Sequence, residues 1–486
     1  MNTLKKLLIL SSIFISLNLT SQNTTFEYLL SSPLDEYFTD IVELEDGTIY
    51  FTGSLSNVQN PNRIKSLIAK MDHSGNLTDS LVFTPPNKNI YINHLFQLEN
   101  GEFDIVASIY DTINLHKNAG ITLYRMNDQL ILYNEKIFAF PADYFLSAIF
   151  ANREESGNIL VGGAVKITTS NFQPFIYEFN SNFDSLKAKV FTEYVDNGIF
   201  SKFKQLSDRN YWIVNMLRGR YEILDTTFNR LSQQKIPDVL TANYGVKWDS
   251  DTSFYLLGDQ LFPPPGHNLG FIHQFHPTDT TGYLANHWRV SDTIDFPAAW
   301  NGLDFQNKDS IFIGGTRNMW IGYYNPWPSW FVVLQTDSLL KIRWERFYGG
   351  DAYYMMGKVV ATHDGGCLVA GTRYDYLNTT EQETDIIILK LNSEGLILGN
   401  PENPGIKMHE AIVYPNPGNE EIKVRIAVQH KQSLFGLYDL NGRLILKENF
   451  AGTEGTVNTT FLPSGTYIYK ITSEDGLYES GKWVKQ

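Results

Sequence analysis

DGTIYFTG, at positions 46–53, is a polar turn followed by an apolar strand that ends on a small residue. The pattern returns as GEFDIVA (101–107), GNILVGG (157–163), RNYWIVN (209–215), TSFYLLG (252–258), DSIFIGG (309–315) and GGCLVAG (365–371). Its last residue stands at 53, 107, 163, 215, 258, 315 and 371, in steps of 54, 56, 52, 43, 57 and 56. No step approaches double another, so no copy is skipped. A period of this size marks a repeat architecture, in which each unit buries its apolar face against the next.

Each copy has the same surroundings. An apolar segment precedes the motif, as at 38–44, 92–98 and 356–361, and another strand follows, as at 67–71, 175–179, 331–334 and 386–391. A turn and a fourth strand close the unit, as at 130–138, 186–191 and 340–347. Four short strands per copy, with almost no helical periodicity, describe a propeller blade. The small residue at each anchor lets neighbouring backbones approach closely. The expected fold is therefore all-β, a seven-bladed β-propeller over 22–398. An array of β-sandwiches would need copies nearer 100 residues with linkers between them. The seventh copy has only a weak fourth strand at 396–398, while 25–30 is unclaimed. Pairing of 25–30 beside 386–391 would close the ring and leave no open blade edge at the seam.

The first 21 residues read as a secretory signal peptide. Lys5 and Lys6 form the positive region, and 7–17 is apolar apart from Ser11, Ser12 and Ser16. That run is far short of the roughly 20 apolar residues that span a bilayer, and no later stretch is long enough, so no transmembrane segment is expected in the mature chain. Cleavage is expected between Ser21 and Gln22. Cys367 is the single cysteine, so neither an internal disulfide nor a lipid-anchoring cysteine is available. Stability must come from a large core, which 486 residues at 43% hydrophobic content can build. A net charge of −14 with no basic run after the signal argues against nucleic acid as a partner.

Residues 399–409, rich in Pro, Gly and Asn, read as a linker. Beyond them, 422–426, 434–439, 444–448, 456–461, 466–472 and 482–484 have strand length and pattern, with Asn441-Gly442 as a hairpin turn. The expectation is a small C-terminal β-sandwich over 410–486. Four motifs then become specific: VYPNP (413–417), LYDLNGR (437–443), LPSGTYIYKI (462–471) and the terminal KWVKQ (482–486). In that order they resemble the type A sorting domain of type IX secretion cargo, carried here by Tyr414, Pro415, Asn416, Pro417, Asp439, Gly442, Gly465 and Tyr467. The resemblance implies passage to the periplasm on the signal peptide and across the outer membrane on the tail, with the type IX machinery as partner. It implies a secreted or cell-surface location outside a Gram-negative cell, and family members are commonly cleaved before the tail. It carries no information on the body's activity.

The body shows no nucleophile elbow, zinc-protease helix motif, phosphate loop or sialidase-type Asp-box, so no catalytic residue is assigned. The sequence points to no particular cofactor. His267, His273 and His276 resemble a metal cluster at first, but His273 and His276 on one strand would point to opposite faces, so no metal site is expected. Asp249 and Asp251 fit a solvated turn, and Cys367 fits a buried core thiol. The more informative stretch is NMWIGYYNPWPSWF (318–331), with Trp320, Tyr323, Tyr324, Trp327 and Trp330. Pro326 and Pro328 oppose regular structure there. These rings suit recognition of a sugar or a protein, or else they cap the blade. The long second loops of blades one (55–66), five (260–269), six (316–329) and seven (372–384) are expected on one arc of one face, where a rigid scaffold presents function. The expected function is a secreted β-propeller that binds a polysaccharide or a protein. The alternatives are a polysaccharide hydrolase or lyase with a funnel site, and a passive adhesion or surface-layer component.

Overall fold

The structure is a computed structural model. It describes residues 24–486 apart from 58–59, 86, 113–117, 142–143, 168–171, 193–197, 238–239, 262–265, 289–292, 320–325, 379–382, 399–407, 410, 441 and 474–477. The expected signal peptide and most of the expected linker lie outside the described residues.

Among the described residues the body forms seven antiparallel sheets; five are four-stranded meanders in chain order, blade six carries additional short strands, and blade seven takes its outer strand from the N-terminus. Blade one is Asp35–Glu43, Ile49–Asn57, Asn60–Met71 and Leu77–Phe83. The first strands of the next four blades are Lys88–Gln97, Phe145–Arg153, Phe200–Gln205 and Leu240–Trp248. That of blade seven is Tyr353–Ala361. Middle strands such as Thr384–Leu391 are buried along their whole length, because both faces meet neighbouring blades. That double burial explains their continuous apolar runs. Outer strands such as Leu77–Phe83 and Arg230–Lys235 are mostly exposed.

Each adjacent pair of blades shares one apolar cluster, and the seventh pair returns to the first. In that returning cluster Leu368, Ala370, Ile386 and Ile388 of blade seven pack with Phe38, Ile41 and Phe51 of blade one. The ring is therefore closed. Its seam is the strand Phe26–Leu30, which pairs antiparallel with Thr384–Leu391 from Phe26 opposite Lys390 to Leu30 opposite Ile386. Residues 396–398 form no strand; the Leu398 amide instead donates to the Thr25 hydroxyl.

The anchors have a physical cause. In blades one, two, four, five and seven the first strand carries a β-bulge directly opposite the anchor, as where Phe38 faces Gly53 and the register then jumps to Asp40. The bulge bends the strand and crowds the anchor. A Cβ on Gly53 would lie 2.4 Å from Ile386, and one on Gly371 would lie 2.3 Å from the Met355 carbonyl. In blade six the irregularity becomes an excursion between Phe296–Pro297 and Leu303–Asp304, which still pair with one second strand.

The C-terminal unit has Ala411–Tyr414, Glu421–Tyr438, Leu444–Asn458, Gly465–Ser473 and Tyr478–Lys485. Segments expected as separate strands are joined here. Positions 422–426 and 434–438 belong to one strand whose register breaks between Arg425 and Ser433. Such breaks let a strand turn from one layer into another. One core unites the layers, with Val413, Ile422 and Val424 against Phe435, Tyr467, Ile471 and Trp483.

Candidate functional site

Two places in the body gather chemistry. The first is a cleft of about 460 Å³ on blade six, lined by Arg317, Asn318 and Trp330 from the body and Tyr414, Pro415, Asn416 and Pro417 from the tail. Arg317 ends one strand and Trp330 begins the next, and the two are register partners. Trp330 lies against Gly350, whose φ of +90° brings the backbone under the indole; a Cβ there would come within 2.4 Å of the ring nitrogen. The half-buried Trp327 donates its indole N–H to the Asn318 carbonyl at 3.1 Å, and Asn318 Nδ2 donates to the Pro328 carbonyl at 2.8 Å. The Arg317 guanidinium sits 4.4 Å from the Tyr414 ring centre. Trp320, Tyr323 and Tyr324 fall outside the described residues.

Trp330 and the opening sorting motif thus share one cleft, which the sequence does not announce. The motif residues also hold the tail's own ends together. The Pro415 carbonyl accepts from the Trp483 indole at 2.8 Å, and Asn416 bonds the backbone of Lys482 and Val484. Asp439 and Gly442 close the hairpin through a 2.9 Å backbone bond, with Gly442 at φ +80°. Tyr467, two residues beyond Gly465, donates to the Pro463 carbonyl. The tail also docks on the body. Arg425 bonds both carboxylate oxygens of Glu345 at 3.0 Å and lies 5.1 Å from the Trp288 ring, while Met408–His409 adds a strand to the edge of blade six. The last two residues of the expected linker, 408–409, thus form part of that docking.

The second place is the axial channel, where a cavity of about 220 Å³ is lined by residues of all seven blades. In four blades the residue that follows the bulge is polar: Asp40, His94, Lys202 and Lys358. A bulge re-aims the side chain next to it, here into the cavity wall. Trp300, carried by the blade six excursion, packs against the apolar clusters on both sides of the channel, and its amide donates to the Gly357 carbonyl at 2.8 Å. Phe96, Asn152 and Trp248 lie near the C-terminal ends of their strands. The cavity therefore sits toward the turns between first and second strands, away from the aromatic loop.

Asp40 is 2% exposed. It accepts from the Ile41 and Leu95 amides at 2.9 Å and from Lys358 Nζ at 2.6 Å. His94 Nδ1 lies 3.9 Å from the same carboxylate, yet burial outweighs that attraction and holds the imidazole down to about 4. Lys202 donates to the Trp300 carbonyl at 2.7 Å. Burial, and next the Lys358 charge, pull Lys202 down to about 8 against the pull of Asp40.

The remaining candidates are structural. His273 stacks on Tyr255 at 4.0 Å and bonds Ser253, His267 bonds Asp259, and His276 pairs with Thr278. They do not converge. Asp249 and Asp251 pair with Lys308 and Lys204. Cys367 is fully buried, and burial pushes its thiol up. In blade one the expected long loop at 55–66 is mostly strand, because Ile49–Asn57 and Asn60–Met71 run on as a paired hairpin. That blade therefore adds no long loop to the arc.

Fold and tail define a seven-bladed β-propeller followed by a C-terminal β-sandwich. Residues 412–486 match the family described as the secretion system C-terminal sorting domain. This tail marks cargo of type IX secretion, and the protein is secreted or displayed at the cell surface. Among the described residues no helix is long and apolar enough to cross a membrane. No curated protein matches the chain. Among solved structures it is similar to a virginiamycin B lyase from Staphylococcus aureus, at 13% identity over 76% of this chain and 99% of that one, TM-score 0.43. It is similar to an ulvan lyase at 9% identity over 76% and 97%, TM-score 0.46. It is also similar to YCF48 from Cyanidioschyzon merolae at 10% identity over 76% and 99%, TM-score 0.41.

Proposed function

We propose that the body is an extracellular binding module for a polysaccharide or a protein, and that it engages its ligand at blade six. The observation that carries this reading is the cleft in which Trp330 and Arg317 stand side by side. An indole face stacks on a sugar ring or an apolar side chain, and the Arg317 guanidinium, 1% exposed with Tyr414 against it, becomes available to orient polar groups where the tail is removed. The proposal also takes Trp327 and, from the same stretch of sequence, Trp320, Tyr323 and Tyr324 as candidate ligand contacts. In the exported chain the tail forms the opposite wall, so removal of the tail widens access. The proposal also takes 1–21 as a signal peptide, 22–398 as the propeller, 399–409 as the linker and 410–486 as the sorting unit. Glycan-array binding and pull-down from native extracellular material test it, using the mature chain and its Trp330→Ala variant. Retention of full binding by the variant removes blade six as the site.

A second reading, a lyase or hydrolase with a funnel site, draws support from the uncharged His94 imidazole beside Asp40 and Lys358 in the axial cavity. A neutral imidazole there can hydrogen-bond a bound sugar, although one held down to about 4 accepts a proton only weakly. Turnover of polysaccharide that His94→Gln abolishes would favour this reading over pure binding.

A further inference from the structure

The axial cavity carries an excess of positive charge within a chain of net charge −14. Among the described residues its one lining carboxylate, Asp40, is already bonded by two backbone amides and by Lys358. Lys202 stands on the adjacent wall and feels the Lys358 charge. Its bond to a neutral acceptor, the Trp300 carbonyl, leaves two of its three ammonium protons, and among the described residues no carboxylate pairs with it. Asp40 attracts Lys202, but burial and the Lys358 charge outweigh that pull, and an ammonium held out of water with no carboxylate bonded to it is costly. Beside Lys202, Ser201 is 2% exposed and lines the same cavity, and its hydroxyl meets no partner among the described residues. The Lys202 ammonium and the Ser201 hydroxyl are donors in want of an acceptor, and they point to a missing one on their side of the cavity.

We infer that the axial cavity binds a small organic oxyanion, a carboxylate or sulfate group borne on a molecule up to the size of one acidic sugar, between Lys202 and Lys358. The cavity volume of about 220 Å³ sets the size limit. It falls below the roughly 300–1,000 Å³ of pockets for drug-sized ligands. Trp300, Trp248 and Phe96 supply apolar walls for a ring. Lys202 and Lys358 supply the charge, and Ser201 supplies a neutral donor. The site shares no lining residue with the blade six cleft and stands or falls independently of it.

Calorimetry and thermal melts of the full mature chain test this with glucuronate, inorganic sulfate and uncharged glucose. Glucuronate is expected to bind and raise the melting temperature, and glucose to do neither. Binding by sulfate as well as glucuronate assigns recognition to the oxyanion alone, and binding by glucuronate only adds the ring. Lys202→Met is expected to weaken binding at least tenfold. Without ligand it should melt no lower than wild type, because it removes a buried charge. If Lys202→Met does not fold, Ser201→Ala serves, with a several-fold loss expected. The inference is overturned if neither anion binds at millimolar concentration, if glucose binds as well as glucuronate, or if the folded variant binds as wild type does.

Discussion

Lys358 donates a 2.6 Å hydrogen bond to Asp40, across 318 positions of sequence. The same carboxylate takes the Leu95 amide, so one buried side chain ties blades seven, one and two at the channel wall. We predict that Asp40→Asn costs about 3 kcal/mol of stability, because it strands a buried ammonium. Urea denaturation measures this, and a loss well under about 1 kcal/mol would assign the pair no structural role.

Closure of the ring rests on Phe26–Leu30. Deleting 24–30 uncovers the edge of Thr384–Leu391, and an unpaired, fully apolar strand edge is an aggregation site. The deletion is expected to aggregate or to melt far below wild type. Phe26→Ala should cost about 3 kcal/mol, as a large-to-small core change does. Unchanged melting of both would show that the seam contributes nothing.

Two buried groups give opposite pH dependences. His94 is held down to about 4 by burial, so its contribution is present above its unfolded value near 6.5 and is lost as pH falls through about 4. Glu36 is raised to about 7, chiefly by burial; its contribution is full below its unfolded value near 4.5 and is lost as pH rises through about 7. Melts from pH 4 to 8 should therefore show His94→Gln gaining on wild type toward acid. Glu36→Gln should gain toward neutral pH, by on the order of 2 kcal/mol. Parallel curves for variants and wild type would contradict both assignments.

Removal of 410–486 should leave the protein folded and trapped in the periplasm of its native host, since each blade interface has its own core. The truncated body should melt a few degrees lower, because Glu345 loses Arg425. Fractionation of the host checks the location, and normal appearance outside the cell would remove the sorting role.

The repeat made the ring legible. Seven anchors at near-equal spacing gave the blade count, and the orphan strand at 25–30 gave the seam. The axial site was harder to see, although a signal existed. The residue thirteen before each anchor reads Asp40, His94, Phe150, Lys202, Gly245, Gly302 and Lys358 (53 − 40, 107 − 94, 163 − 150, 215 − 202, 258 − 245, 315 − 302, 371 − 358). Four polar residues at one repeat position mark a shared wall, but only the bulge reveals that they face the channel. The cleft between Trp330 and VYPNP was not legible, because it joins two units whose docking depends on Arg425 and Glu345, 80 positions apart.

The central claim is binding at blade six, and the most direct measurement is ligand affinity beside stability for Trp327→Ala and Trp330→Ala in the mature chain. We predict a loss of about 30-fold in affinity for Trp330→Ala, the hot-spot scale of about 2 kcal/mol, while both variants stay folded at the assay temperature. Wild-type affinity in both variants, or a loss of about 3–5 kcal/mol of stability in both with binding intact, would make the loop a structural cap and contradict the claim.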